Sequence, residues 1–70
     1  MFVKVIGSDF EDLYECSRAN HRDHPDSTNI LIMTIQTLDG EEESFEVDKE
    51  DAEIYFMNSD GRTVDKLVWR

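Results

Sequence analysis

The sequence predicts a small α+β domain, with one N-terminal helix packed on a mostly antiparallel sheet of four to five strands. Two patterns carry this expectation. Ser8-Asp9-Phe10-Glu11 has the form of a helix capping box and stands at the head of a helical spacing of apolar residues. Further on, an apolar stretch from Ile30 reaches Asp39-Gly40, the favoured pair for a two-residue hairpin turn, and an alternating segment follows it. The length of 70 residues allows a single domain spanning residues 1–70.

Residues 1–6 read as a strand, because Phe2, Val3, Val5 and Ile6 are aromatic or β-branched and Gly7 closes the run. A helix is expected over residues 9–19. Phe10, Leu13, Tyr14 and Ser17 follow its spacing, Asp9, Glu11 and Asp12 suit its positive end, and Arg18 suits the other. Residues 21–29 have no apolar member except Pro25 and read as a loop.

Residues 30–38 form the strongest strand candidate, followed by a returning strand over residues 41–48. A two-residue turn pairs Thr34 with Phe45 and Ile32 with Val47. A three-residue loop with a bulge reverses that facing, and both remain open at this stage. In residues 48–58, Ala52, Tyr55 and Phe56 have helical spacing, but Ile54-Tyr55-Phe56-Met57 has strand composition, which is favoured. Asn58-Ser59-Asp60-Gly61 signals a turn, and residues 63–69 a last strand. There are no evident repeats or low-complexity tracts.

The composition excludes several classes of function. The longest apolar run, Ile30-Leu31-Ile32-Met33, falls far short of the roughly 20 residues of a membrane-spanning helix. The first residues lack the basic and long apolar regions of a secretion signal. Cys16 is the only cysteine, so no internal disulfide is available. These features lead to the expectation of a cytoplasmic protein, in the host cytoplasm if a phage encodes it. A net charge of −10 disfavours direct binding to nucleic acid or to an anionic membrane.

The charge is unevenly placed. Residues 39–53 hold nine acids and one base, which leaves the other 55 residues close to neutral. Crowding like charge costs stability through self-repulsion, so a small domain has a physical reason to avoid it unless the charge is used. Alternate side chains on a strand face stand about 6.8 Å apart, an interval comparable to that between backbone phosphates. Glu41, Glu42, Glu43, Glu46, Asp48, Glu50, Asp51 and Glu53 are therefore the candidate phosphate surrogates, with Asp9, Asp12 and Glu15 on the expected helix extending the row. The plainer account is a solvated acidic face that keeps the protein soluble.

A short, cysteine-poor, strongly acidic α+β chain with a Glu41-Glu42-Glu43 hairpin resembles the small DNA-mimic inhibitors encoded by bacteriophages. The resemblance lies in whole-chain character and carries no shared motif. It implies a partner that is a basic, nucleic-acid-binding host protein, best of all an HU-type nucleoid protein, whose groove reads backbone charge without sequence.

Other chemistry is weakly represented. Cys16, His21, Asp23, His24 and Asp26 are zinc-ligand types, but their spacing matches no standard site, and no metal or cofactor is expected. Glycine positions do not fit a calcium loop. Acidic neighbours of Cys16 oppose its activation as a nucleophile, and no phosphate loop or hydrolase motif is present, so no enzymatic activity is expected. The rival reading is a small adaptor or antitoxin-like subunit that binds through a sheet edge or an apolar face. Tyr55, Phe56, Met57 and Trp69 then serve as core or as the interface of a homodimer.

Overall fold

The computed structural model describes residues 1–69 and places seven strands, with no helix among them. They are β1 (Phe2–Ile6), β2 (Glu11–Glu15), β3 (Arg18–His24), β4 (Ser27–Gln36), β5 (Glu42–Asp48), β6 (Glu53–Met57) and β7 (Thr63–Leu67). Every pairing is antiparallel, in a four-stranded sheet ordered β2-β1-β6-β7 and a three-stranded sheet ordered β3-β4-β5. The fold is all-β, which corrects the expected α+β class and its count of four to five strands.

The two sheets bury one shared core. Val3, Val5 and Ile54 come from the four-stranded sheet, and Leu31, Met33, Ile35 and Val47 from the other. Each set alternates along its strand, as burial of one sheet face requires. At about 25 cal/mol per Å² of apolar surface removed from water, side chains of this kind contribute ~1.5–3 kcal/mol each.

The expected helix over residues 9–19 is replaced by two strands and a corner. Residues 7–10 form a tight loop in which the Gly7 N–H donates to the Phe10 carbonyl at 2.9 Å. Ser8 and Glu11 thus flank a hairpin connection between β1 and β2 and do not cap a helix. Glycine, serine and aspartate serve turns and caps alike, because their side chains or freed backbone satisfy local N–H groups in both. Tertiary pairing decides between them here: β2 covers an edge of β1, with Val3 opposite Tyr14 and Val5 opposite Asp12.

Cys16 turns the chain from one sheet into the other. Its N–H donates to the Met1 carbonyl at 2.9 Å, and the next N–H, of Ser17, donates to the Gln36 carbonyl at 2.8 Å. The thiol is fully buried, and burial raises its pKa, so it acts as a core residue at a corner and not as a helix-face residue. The expected loop over residues 21–29 is also corrected, since β3 runs to His24 and β4 already begins at Ser27. β3 is an edge strand whose inward residues are Ala19, His21 and Asp23, opposite Ile35, Met33 and Leu31. With so little apolar content it gives no periodic signal.

The β4–β5 hairpin takes the three-residue alternative. Thr37 and Glu41 close the loop, the Gly40 N–H donates to the Thr37 carbonyl at 3.0 Å, and Gly40 has a φ of 91°. This is a type I turn followed by a glycine bulge, not the two-residue type I′ turn. The register follows: Phe45 faces Met33 and Val47 faces Leu31, where a two-residue turn would have set them against Thr34 and Ile32. The shift places every large apolar side chain of β5 on the core face.

Candidate partner-binding surface

Two edges of the molecule, one from each sheet, come together on its acidic side. β2 is the outer strand of the four-stranded sheet, and β5 is an outer strand of the other. The Tyr14 ring of β2 stacks on the Phe45 ring of β5, with centroids 4.7 Å apart and planes inclined by 19°. Beside this pair lies a cleft of about 460 Å³ lined by Val5, Phe10, Asp12, Tyr14, Phe45, Glu46, Val47, Asp48, Asp51 and Ala52. The apolar members come from the core margin and the loop over residues 7–10, and every charged member is an acid.

Strand alternation explains one of these placements. Asp12 shares the inward side of β2 with Tyr14, yet it stays exposed because it opens into the cleft. On β5, Glu43 shares the inward side with Phe45 and Val47 and is exposed near the hairpin end. Burial raises the Tyr14 pKa most, and the carboxylates of Asp12 and Glu43 raise it further by disfavouring a nearby phenolate. Acids from both edges therefore act on the same ring.

The predicted surrogates divide into groups. Asp12, Glu46, Asp48 and Asp51 line the cleft. Glu41 and Glu42 stand at the exposed end of the hairpin, and Glu42, Glu46 and Asp48 form a row on the outward side of β5. Glu50 lies in the turn after β5, where its N–H donates to the Asp48 carboxylate at 2.9 Å. The same turn is closed by the Asp51 and Ala52 N–H groups, which donate to the Asp48 carbonyl at 3.1 and 2.9 Å.

Glu11, Glu15 and Glu53 face away from the cleft, on the outward side of the four-stranded sheet, and Asp9 sits in the loop before β2. Asp12 and Glu15 thus project from opposite sides of a strand, which corrects their expected placement along a helix.

Among the described residues, Glu41, Glu42, Glu43, Asp48, Glu50 and Asp51 take part in no ion pair. Glu11 is 3.7 Å from Lys4 and Glu46 is 3.6 Å from His24. The Lys49–Asp23 ion pair, at 2.8 Å, lies on the β3 side and holds the Asp23 carboxyl below the usual range through its hydrogen bond and charge. The cation nearest the acidic hairpin in sequence is thus turned away from it.

Phe10, Tyr14 and Phe45 are the site residues that sequence reasoning missed. Phe10 is 41% exposed, unusual for so large an apolar side chain, and its ring lies against Gly7. A Cβ on Gly7 would come within 2.0 Å of that ring, so the glycine leaves room for the aromatic wall of the cleft. The helical reading of residues 9–19 hid this link.

The candidate metal ligands do not assemble. Cys16 is buried at the corner, His21 approaches the Phe56 ring, and among the described residues no three His, Cys, Asp or Glu side chains converge. No described helix is long and apolar enough to cross a membrane. No protein family, curated protein or solved structure matches the chain.

Proposed function

We propose that the protein is a non-enzymatic inhibitor whose acidic β2–β5 side occupies the nucleic-acid-binding groove of a basic host protein. The observation that carries this reading is the convergence of carboxylates from two strand edges, most of them without a cationic partner among the described residues. Such a surface speeds encounter with a positively charged groove, and its affinity falls with salt. A groove that binds DNA by backbone charge, of the HU type, is the first candidate, because a field of carboxylates carries no base pattern.

Capture from bacterial lysate on immobilised protein, with elution by short double-stranded DNA and mass spectrometry, tests the proposal. One basic DNA-binding protein displaced by DNA and by moderate salt is the expected result. Captured proteins that ignore both DNA and salt overturn it.

A second reading has its own observation. The outward side of the four-stranded sheet carries Phe2, Ile6, Leu13, Tyr55 and Met57 among its charges, and Leu13 is 56% exposed. An adaptor or subunit docking through this face predicts binding that persists in high salt and fails in Leu13→Glu. The acidic-groove reading predicts the reverse on both counts.

A further inference from the structure

The cleft between β2 and β5 has the chemistry of a receptor for one kind of side chain. Its walls are aromatic and aliphatic: Phe10, the stacked Tyr14–Phe45 pair and Val47. Its charged lining residues, Asp12, Glu46, Asp48 and Asp51, are all acids, and among the described residues no basic side chain lines it. A volume of about 460 Å³ falls within the usual range of small-ligand sites. Asp12 shares the inward side of β2 with the Tyr14 ring, so an apolar occupant would set its carboxylate against apolar surface, and an anion would be repelled. A small hydrated cation would gain nothing from the rings.

We infer that the cleft receives an arginine side chain of the partner, its guanidinium held between aromatic wall and acidic rim. Arginine fits each part of the site. Its planar guanidinium stacks on aromatic faces, pairs with carboxylates in a two-pronged fashion and gives up water more readily than an ammonium group, while its stem packs on apolar walls. The inference rests on the reading that the partner is a basic protein, and it adds the point at which the two are keyed together. The acids at the hairpin end steer the approach, and the cleft fixes one residue in place.

The test uses the folded protein and a small probe, so its outcome is separate from capture of a partner. N-acetyl-arginine amide is titrated into isotope-labelled protein while amide resonances are followed by NMR. The expected result is saturable shifts centred on Asp12, Tyr14, Phe45 and Glu46. Binding should weaken about tenfold for the uncharged citrulline analogue, the size of a desolvated cation–π and ion-pair contribution.

The double variant Asp12→Asn/Asp51→Asn should weaken the probe to a similar degree. Gly7→Ala should do so as well, by displacing the Phe10 ring. A dispersed amide spectrum in each variant shows that the fold is kept. Shifts that spread over all the acids without saturating, or citrulline binding equal to arginine, overturn the inference. The double variant Glu41→Lys/Glu42→Lys lies outside the cleft lining and should still bind the probe within about twofold while losing DNA-competed capture. That split separates failure of the cleft from failure of the mimic.

Discussion

Two hairpins of this protein are built on the same turn and carry very different charge. In one, Thr37 and Glu41 bracket Leu38-Asp39-Gly40, and in the other Asn58 and Arg62 bracket Ser59-Asp60-Gly61. Both close with the N–H of the first bracket residue donating to the carbonyl of the last, at 2.8 and 2.9 Å, and with a glycine N–H donating to the carbonyl of the first at 3.0 Å. In both, the first bracket side chain accepts from the last N–H, Thr37 Oγ1 at 3.1 Å and Asn58 Oδ1 at 3.0 Å. The glycines have φ of 91° and 87°.

The second hairpin achieves all this with one acid and one base in the loop, whereas Asp39, Glu41, Glu42 and Glu43 crowd the first. The surplus acidity is therefore not a requirement of the turn. Nor does protection of an open strand edge call for so much of it. β7, also an outer strand, makes do with Asp65 and Lys66, while β5 carries Glu42, Glu43, Glu46 and Asp48.

Moving the charge should break the comparison most visibly. Glu41→Lys/Glu42→Lys/Glu43→Lys should reduce the association rate with the captured partner by about 10–1,000-fold, the span set by electrostatic steering. A change of equal charge at the other turn, Ser59→Lys/Asp60→Lys/Thr63→Lys/Asp65→Lys, should leave the rate within about twofold, and surface plasmon resonance at two salt concentrations would read both. Equal loss from both hairpins would show that total charge matters and not its place.

The backbone half of the comparison predicts equality. Neither glycine has a neighbour within 4 Å of a built Cβ, so alanine at either site meets only the strain of its positive φ. Gly40→Ala and Gly61→Ala should each cost ~1–2 kcal/mol, seen as a lower urea midpoint, and asparagine should cost less at both. A large cost at only one position would mean that the two turns are not equivalent.

Much of the strand framework was legible in the residues, and the reasons for the misses are specific. Phe2–Ile6 and Glu42–Asp48 alternate or are dense in β-branched and aromatic side chains, and Ile54-Tyr55-Phe56-Met57 was rightly favoured as strand. β2 was lost because Phe10, Leu13 and Tyr14 fall at helical intervals by coincidence. Phe10 lies in a loop, Leu13 faces outward, and only Tyr14 packs against the core. β3 was lost because an edge strand facing solvent needs little apolar content.

The acidic segment was visible as composition, but the cleft was not. Asp12 and Asp51 meet only through the stacking of β2 against β5, and the aromatic wall depends on a glycine–phenylalanine contact. The register stayed open for a similar reason. Asp39-Gly40 serves a two-residue turn and the end of a three-residue loop equally well, and only burial of Leu31, Met33 and Ile35 on the side of β4 that faces Phe45 and Val47 selects the latter.

The smallest expected effect lies in alkali and joins the acidic hairpin to β2. Tyr14 holds its proton to higher pH in the folded protein than in the unfolded chain, because burial first, and the Asp12 and Glu43 carboxylates next, oppose the phenolate. The unfolded chain therefore ionises first, near the ordinary tyrosine value of about 10. Stability contributed by neutral Tyr14 is complete below that pH and is lost as pH rises through the folded value. Urea midpoints should fall over this range in the wild type and less in Tyr14→Phe, and tyrosinate absorbance should show the late-titrating group vanish in that variant. Glu43→Gln should move its titration back towards the ordinary value, while Asp60→Asn in the second hairpin should leave it in place. A titration that ignores Glu43 would mean that the acidic end of β5 does not reach the ring, and the two edges would then share only packing and no field.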